Sequence, residues 1–293
     1  MPSVADWPPA CGVNALYARG ALLRTIREFF HDRGVLEAQS ATLASATVTE
    51  PAVESIRVPG FGYLQTSPEY QLKRLLAAGA PSLYQLGPVY RAGESGRRHN
   101  PEFIMLEWYR VGFTETELMA EVADLVNLAL GAAGYATLPY ADVAARAPAP
   151  ADAGSLSARE ALDLRFANGL DALGSGRYFI TDYPADQAAL ARVRPDNPEV
   201  AARFELVVDG LELANGYWEL GDAEALRARF QRDLALREAC GQSLPELDER
   251  FLAAMSAGLP PCAGVALGFD RLLMLQLGAG SLQDVMPFPI DRA

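Results

Sequence analysis

The chain has 293 residues, half of them hydrophobic, with 25 basic against 37 acidic side chains and a net charge of −12. That length suits one large core or a core with an insert, and the acidic balance speaks against a nucleic-acid-gripping surface, since phosphate neutralisation supplies most of that affinity. No apolar run approaches the roughly 20 residues of a membrane span, the start MPSVADWPPA has no signal-peptide character, and Cys11, Cys240 and Cys262 are too scattered for a disulfide framework or a zinc site, so a cytoplasmic protein is the expectation.

In chain order, the first predicted element is a helix near Leu16–Asp32, where Leu22, Ile26, Phe29 and Phe30 recur at helical spacing and Gly34 follows the end. His31 sits at that end as a C-terminal cap. A short strand around Val35–Ala38 comes next. Phe61–Ala78 reads as strand, turn and helix, with Ser67 as N-cap and Pro68 in the first turn. Tyr84–Arg91 and Phe103–Arg110 then pair as a long hairpin around a charged, Gly-containing loop, and a helix follows over Thr116–Leu130. Between Ala136 and Ala153 the chain is rich in Ala and Pro, which predicts a loop leading into a small helical insert ending near Ser175.

Beyond it, Arg203–Val208 and Leu211–Ala214 flank Asp209–Gly210, a two-residue hairpin signal. Asp222 caps a helix running to about Ala239, and the last helix begins near Arg271, after the Gly-punctuated strand GVALG. Strands joined by hairpin turns with helices between them give the α+β class, with a largely antiparallel sheet.

Two arginines about 180 residues apart, Arg91 and Arg271, each lie beside glycine-loosened backbone, which suits a bound polyphosphate because guanidinium groups make planar, bidentate contacts to phosphate oxygens. Two acids on neighbouring strand segments, Glu212 and Glu219, suit a Mg²⁺ ion bridging phosphates. An acid inside a pocket of Tyr and Trp would also suit a lysine-like substrate, whose desolvated ammonium needs a charge partner.

The runs YRAGESGRRHNPEFIMLEWYR (from Tyr90) and GVALGFDR (from Gly264), with TSPEY at Thr66 and ELANGYWEL at Glu212, resemble the motifs of the class II aminoacyl-tRNA synthetases in their lysyl branch. Within that branch the chain looks most like the elongation factor P (R)-β-lysine ligase family. The helix, glycine and V-L-E run at Phe29–Glu37 is similar to motif 1, which forms the dimer interface in the family, although Ala41 stands where a proline is expected. The resemblance spans nearly the whole chain and implies a class II synthetase-like catalytic domain over 1–293, with an insert near 136–175 and no anticodon-binding domain.

What the resemblance implies for the site is specific. Arg91 and Arg271 are the catalytic pair: Arg91 on the α-phosphate, Arg271 at the far side of the nucleotide, with Phe103 and Arg271 sandwiching the adenine. Asn100, Leu213 and Gly268 also belong to the ATP site, and Glu212 to its nucleotide and metal side. Motif 2 departs from the usual Arg-Asn-Glu: Arg91-Ala92-Gly93-Glu94 brings its acid one residue late, so that either Glu94 reads the adenine or backbone does. Ser67, Glu69, Tyr109 and Glu219 form the amine-binding shell. Ala266 stands where lysyl-tRNA synthetases carry glycine, and a methyl there is worth about 1–3 kcal/mol of discrimination. His99 is a loop-ordering hydrogen-bonder and Cys262 a core residue.

The implied reaction is ATP- and Mg²⁺-dependent activation of (R)-β-lysine, then transfer to a lysine of elongation factor P by a homodimer that has no use for tRNA. Two alternatives stay open: a truncated lysyl-tRNA synthetase paralogue using L-lysine and tRNA, and a non-catalytic regulatory subunit.

Overall fold

An eight-stranded sheet carries the molecule, and the alternation of its side chains sets one face against a core and the other against a pocket. The computed structural model describes residues 7–148 and 157–293; the sequence readings that fall on 1–6 and on the Ala/Pro tract at 149–156 lie outside the described residues. Strands and helices in chain order are α1 (Val13–Asp32), β1 (Leu36–Glu37), β2 (Leu43–Ala44), β3 (Arg57–Val58), β4 (Gly62–Leu64), α2 (Glu69–Ala77), β5 (Leu83–Tyr90), β6 (Glu102–Val111), α3 (Glu115–Leu130), β7 (Ala136–Pro139), α4 (Tyr140–Ala144), α5 (Ala158–Asp171), β8 (Arg177–Pro184), β9 (Val200–Val208), β10 (Leu211–Trp218), α6 (Ala223–Ala239), α7 (Glu249–Gly258), β11 (Cys262–Gly268) and α8 (Phe269–Leu277).

The sheet order is β1-β5-β6-β11-β10-β9-β8-β7, and β2-β4-β3 form a separate small sheet. The inner pairings are all antiparallel, while the outermost two, β1 with β5 and β7 with β8, are parallel. A largely antiparallel α+β architecture is therefore what the chain adopts. One part of the expectation fails: Ala136–Pro139 is not loop but an edge strand paired with Tyr178–Thr181. Four Ala- and Pro-containing residues carry too little periodicity to announce a strand, and parallel pairing with a partner about forty residues on supplies what local pattern does not. The segment after it is built onto the sheet: Tyr140, Val143 and Ala144 of α4 bury against Ile180, Tyr183 and Val207.

The even-numbered side chains of β6, Leu106 and Trp108, enter the main core with Phe204 and Leu206 of β9 and Val265 and Leu267 of β11. Helix α1 covers that face with Leu22, Ile26, Phe29 and Phe30, α3 with Leu118, Val122, Leu125 and Val126, and α8 with Leu272 and Leu273. Phe30 stacks on Tyr84 at 4.4 Å between ring centroids. Such burial stabilises by roughly 1.5–3 kcal/mol per large apolar side chain. Helix α3 starts on a capping box between Thr114 and Glu117. The β9–β10 turn puts Asp209 and Gly210 at φ 50° and 73°, the left-handed pair of a type I′ hairpin.

Candidate active site

The opposite face of the same strands lines a cavity of about 340 Å³. Phe103, Met105, Glu107 and Tyr109 of β6 alternate with the core residues and point into it, as do Gly264, Ala266 and Gly268 of β11, Asn215 and Tyr217 of β10, and Arg203 and Glu205 of β9. The two-residue period makes this inevitable: once Trp108 is in the main core, Glu107 and Tyr109 face the other way, where Tyr109 also packs against Leu72, Leu76, Leu83 and Cys262.

One end of the cavity is acidic. Ser67 precedes α2 by two residues rather than capping it directly; its Oγ accepts from the Glu69 N–H at 3.0 Å and donates to Glu107 Oε2 at 2.7 Å. Tyr109 donates to the other oxygen of Glu107 at 2.6 Å. Lys73, one helical turn beyond Glu69 and fully buried, lies 2.5 Å from Glu69 Oε1 and 2.5 Å from Glu219 Oε2. The contact with Glu219 is close enough for an ion pair but not aimed as a hydrogen bond, so both Glu219 oxygens lack a donor. Burial pushes the Glu107 carboxyl up to about 7 and that of Glu219 up to about 8, the second despite the opposing pull of Lys73. Lys73 itself is held charged against its burial by the two carboxylates. Glu107 and Glu219 thus both titrate well above the usual carboxylate range.

The other end is cationic. Arg91 lies just past β5, with its guanidinium 5.2 Å from the Phe103 ring centroid and 3.6 Å from Glu94. Glu94 therefore faces its own arginine across the loop. Arg271, in the first turn of α8, donates from Nη1 to the Glu212 carbonyl at 2.9 Å, and its Nη2 is 2.8 Å from His99 Nε2. A guanidinium can only donate, so Nε2 accepts and the His99 proton sits on Nδ1; burial and Arg271 both lower the pKa of this ring. His99 is thus a loop-ordering group. Asn100 is buried and its amide is tied at both ends, donating to the Glu102 carbonyl at 2.6 Å and accepting from the Ile290 N–H at 3.0 Å. It lines the cavity as a strut of the loop. Leu213 and Gly268 line it too, and a Cβ on Gly268 would press on the Arg271 stem at 3.4 Å.

Two sequence expectations need correction. Glu212 and Glu219 cannot share one cation: seven residues of extended chain separate them by about 20 Å, whereas Mg²⁺ holds its ligands at about 2.1 Å. The nearest acid on the same face of β9 is Glu205, diagonal to Glu212, which itself pairs with Val207, and after burial Glu205 is what most raises the Glu212 carboxyl, to about 7. Among the described residues no cluster of three or more metal-ligating side chains exists. The second correction concerns tryptophan. Tyr109 and Tyr217 line the pocket, but Trp108 turns to the core, where its indole donates to Glu121 at 3.0 Å.

Residues that sequence reading passed over are Lys73, Glu107, Arg203 and Glu205. Arg203 donates to Glu205 at 2.6 Å and to the Gln187 carbonyl at 2.7 Å. The signals were present: Glu69 and Lys73 stand four apart on a helix, and Glu107 lies two before Tyr109 on a strand, hence on its face. Gly264 is required where it is, since a Cβ there would lie 2.3 Å from the Tyr109 ring and 2.4 Å from Glu219 Oε1.

Comparison with known proteins finds matches along the whole chain. The family described as tRNA synthetases class II (D, K and N) matches residues 12–292. The chain is 42% identical over 325 aligned positions to the elongation factor P--(R)-beta-lysine ligase of Proteus mirabilis, covering 100% of both chains. It is 40% identical to the protein of that name from Vibrio cholerae, covering 99% of each, and 42% identical to the one from Enterobacter sp. strain 638, covering 100% of each.

Proposed function

The chain belongs to the class II (D, K and N) tRNA synthetase family, and from that premise we propose that it is an ATP-dependent ligase. It activates (R)-β-lysine as an adenylate and passes the acyl group to a lysine side chain of elongation factor P in the cytoplasm. Its relatives of full matching length carry that ligase name. The observation that carries the reading is where the buried polar atoms without partners fall. Arg91 Nε and Arg203 Nε, two donors, and Asn215 Oδ1 and both Glu219 oxygens, all acceptors, line one cavity. Native proteins leave few such atoms unpaired, and each calls for an explanation. A ligand that is anionic at one end and cationic at the other answers all of them.

In the first step a carboxylate oxygen of the amino acid attacks the α-phosphorus of ATP, the new O–P bond forms in line, and pyrophosphate leaves. No general base is needed on an ionised carboxylate, so positioning and charge stabilisation do the work. Arg91 holds the α-phosphate. Arg271, fixed by the Glu212 carbonyl and His99, lies over the adenine opposite Phe103. Glu205 and Glu212, two carboxylates that repel one another at the nucleotide end, fit Mg²⁺, which prefers one or two carboxylates plus substrate oxygens. When bound, that ion would neutralise phosphate charge.

At the other end, Glu69, Glu107 and Glu219 against the single ammonium of Lys73 leave two negative charges when all are ionised, the complement of a substrate with two ammonium groups. Ala266 sits in register between Glu107 and Asn215, so its methyl limits the room beside the substrate backbone. The subunit pairs with a second copy through α1 and β1, where Val13, Leu16, Tyr17 and Leu36 expose apolar surface. Among the described residues no helix is long and apolar enough to cross a membrane.

The test is amino-acid-dependent ATP–pyrophosphate exchange. Strong exchange with (R)-β-lysine and little with L-lysine is the expected result. Preference for L-lysine, or no exchange with either, would overturn the substrate assignment.

A further inference from the structure

Transfer of the acyl group needs something that activation does not. The acceptor amine arrives protonated, since a lysine ammonium titrates near 10.4, and a protonated nitrogen has no lone pair with which to attack. The acids in the cavity are mostly engaged. Glu107 is held by Ser67 and Tyr109, Glu69 and Glu219 by Lys73, Glu205 by Arg203, Glu94 by Arg91, and Asp270 by Arg19 and the Ile104 N–H. Glu212 lies at the nucleotide end beside Arg271.

Glu50 shares with Glu212 a carboxyl without a partner among the described residues, but Glu212 stands beside Arg271 and Glu50 does not. Its side chain is exposed at the pocket wall and has no hydrogen-bond or ion-pair partner among the described residues. The charges that act on it most are Arg203 and Arg91, then Asp233 and Glu69. Glu50 lines the same cavity as Arg91, which marks the phosphate, and Glu69, which marks the ammonium, and the acyl carbon of the adenylate must sit between those two.

The backbone that presents Glu50 is held firmly. The fully buried guanidinium of Arg237 donates to the carbonyls of Thr49 (2.8 Å), Glu50 (2.9 Å), Val53 (2.6 Å) and Ser243 (3.1 Å) and to the Glu54 carboxylate (3.0 Å). Thr49 is also tied to Asp233 at 2.8 Å, and the Glu54 carbonyl accepts from the Ala92 N–H, beside Arg91, at 2.8 Å. A turn fixed at so many points, with one unpartnered carboxyl aimed into the cavity, is a placed group rather than a solvated surface acid.

We propose that Glu50 is a catalytic residue of the transfer step, receiving the incoming ammonium at the mouth of the pocket and taking its proton. The inference rests on the ligase reading above. The ammonium gives one proton to the Glu50 carboxylate and becomes a neutral amine. Its lone pair attacks the adenylate carbonyl carbon, a C–N bond forms, and the carbonyl C–O bond to phosphorus breaks with AMP as leaving group. The second proton, still on nitrogen after attack, leaves with the phosphate of AMP. Although solvent reaches Glu50, the protein around the cavity partly desolvates its carboxyl and raises it above its ordinary range, which brings it nearer the amine it must deprotonate.

The experiment compares Glu50→Gln and Glu50→Asp with the wild type in three assays containing ATP, Mg²⁺ and (R)-β-lysine. These are pyrophosphate exchange, acyl transfer to elongation factor P, and capture of the adenylate by hydroxylamine, a nucleophile already neutral at pH 7. For Glu50→Gln, exchange and hydroxylamine capture should stay within about twofold of wild type while protein transfer falls about 100-fold, with Glu50→Asp in between. Exchange falling in step with transfer would mean that Glu50 holds the substrate's own ammonium and would overturn the proposal, as would unchanged transfer. A wild-type chain that exchanges no pyrophosphate would overturn the ligase reading itself, a different failure visible before any variant is made.

Discussion

Lys73 and Glu219 stand 2.5 Å apart at the closed end of the pocket, with side-chain exposures of 0% and 1%, and yet no hydrogen bond satisfies the carboxylate. The lysine balances charge without saturating the acceptors. The arrangement suits the ammonium-binding site proposed: enough cation to make burial of the acids tolerable, and lone pairs left over for the ligand.

Removing that balance should be costly. Lys73→Met leaves Glu69 and Glu219 facing each other without a cation and should destabilise the chain by about 3–5 kcal/mol in urea denaturation. Adding Glu219→Gln to the same chain should recover part of the loss. A Lys73→Met protein as stable as wild type would show that the pair is neutral in the empty pocket.

The raised carboxyls set a pH dependence whose sign is fixed. Glu107 and Glu219 bind protons more tightly folded, at about 7 and about 8, than at the ordinary 4.5. Their contribution to stability is fully present below that ordinary value and lost as pH rises through 7 and 8. The same ionisation readies the pocket for a dication, so affinity for (R)-β-lysine should increase from pH 6 to pH 8. Calorimetry in buffers of different ionisation heat should detect proton release on binding. Glu107→Gln should reduce both effects.

Gly264→Ala tests the wall of the pocket. Its Cβ would meet Tyr109 and Glu219 at 2.3 and 2.4 Å, so one of them must move. The expected stability loss is about 1–3 kcal/mol. KM for the amino acid in pyrophosphate exchange should rise, and KM for ATP should hold. Ala266→Gly, two residues on, should do the reverse to the site by opening room, and raise exchange with L-lysine relative to (R)-β-lysine.

The contiguous parts of this site were legible in the chain and the registered parts were not. Arg91, Phe103, Glu212 and Arg271 announce themselves inside runs that carry their own context. Glu205 does not, because a two-residue hairpin at Asp209–Gly210 with regular pairing would set residue 214 opposite 205. A bulge between Glu212 and Ala214 in β10 makes Asn215, not Ala214, the partner of Glu205, so that the two share the pocket face. Lys73 reads as an exposed residue of an amphipathic helix until the sheet closes over it. Ala136–Pro139 becomes a strand only when β8 lies beside it. In each case the missing information is which strand lies next to which, and at what offset.

The exposed apolar residues of α1 and β1 give a further expectation. Tyr17 is 77% and Val13 64% exposed on one end of α1. Tyr17→Arg should shift the protein from dimer to monomer in sedimentation velocity while leaving the far-ultraviolet circular dichroism unchanged.

Asp270 makes that surface matter to the chemistry. One of its oxygens holds Arg19, two residues from Tyr17, at 2.6 Å, and the other accepts from the Ile104 N–H on β6 at 2.7 Å; the next residue in the chain is Arg271. A single carboxylate thus joins the helix proposed for the subunit contact, the strand that carries Phe103 and the arginine proposed to lie over the nucleotide. With the proposed pairing, an enzyme wired in this way would sense its own abundance: on dilution below the dissociation constant of the pair, turnover per chain should fall, making each molecule's output depend on how many copies the cell has made.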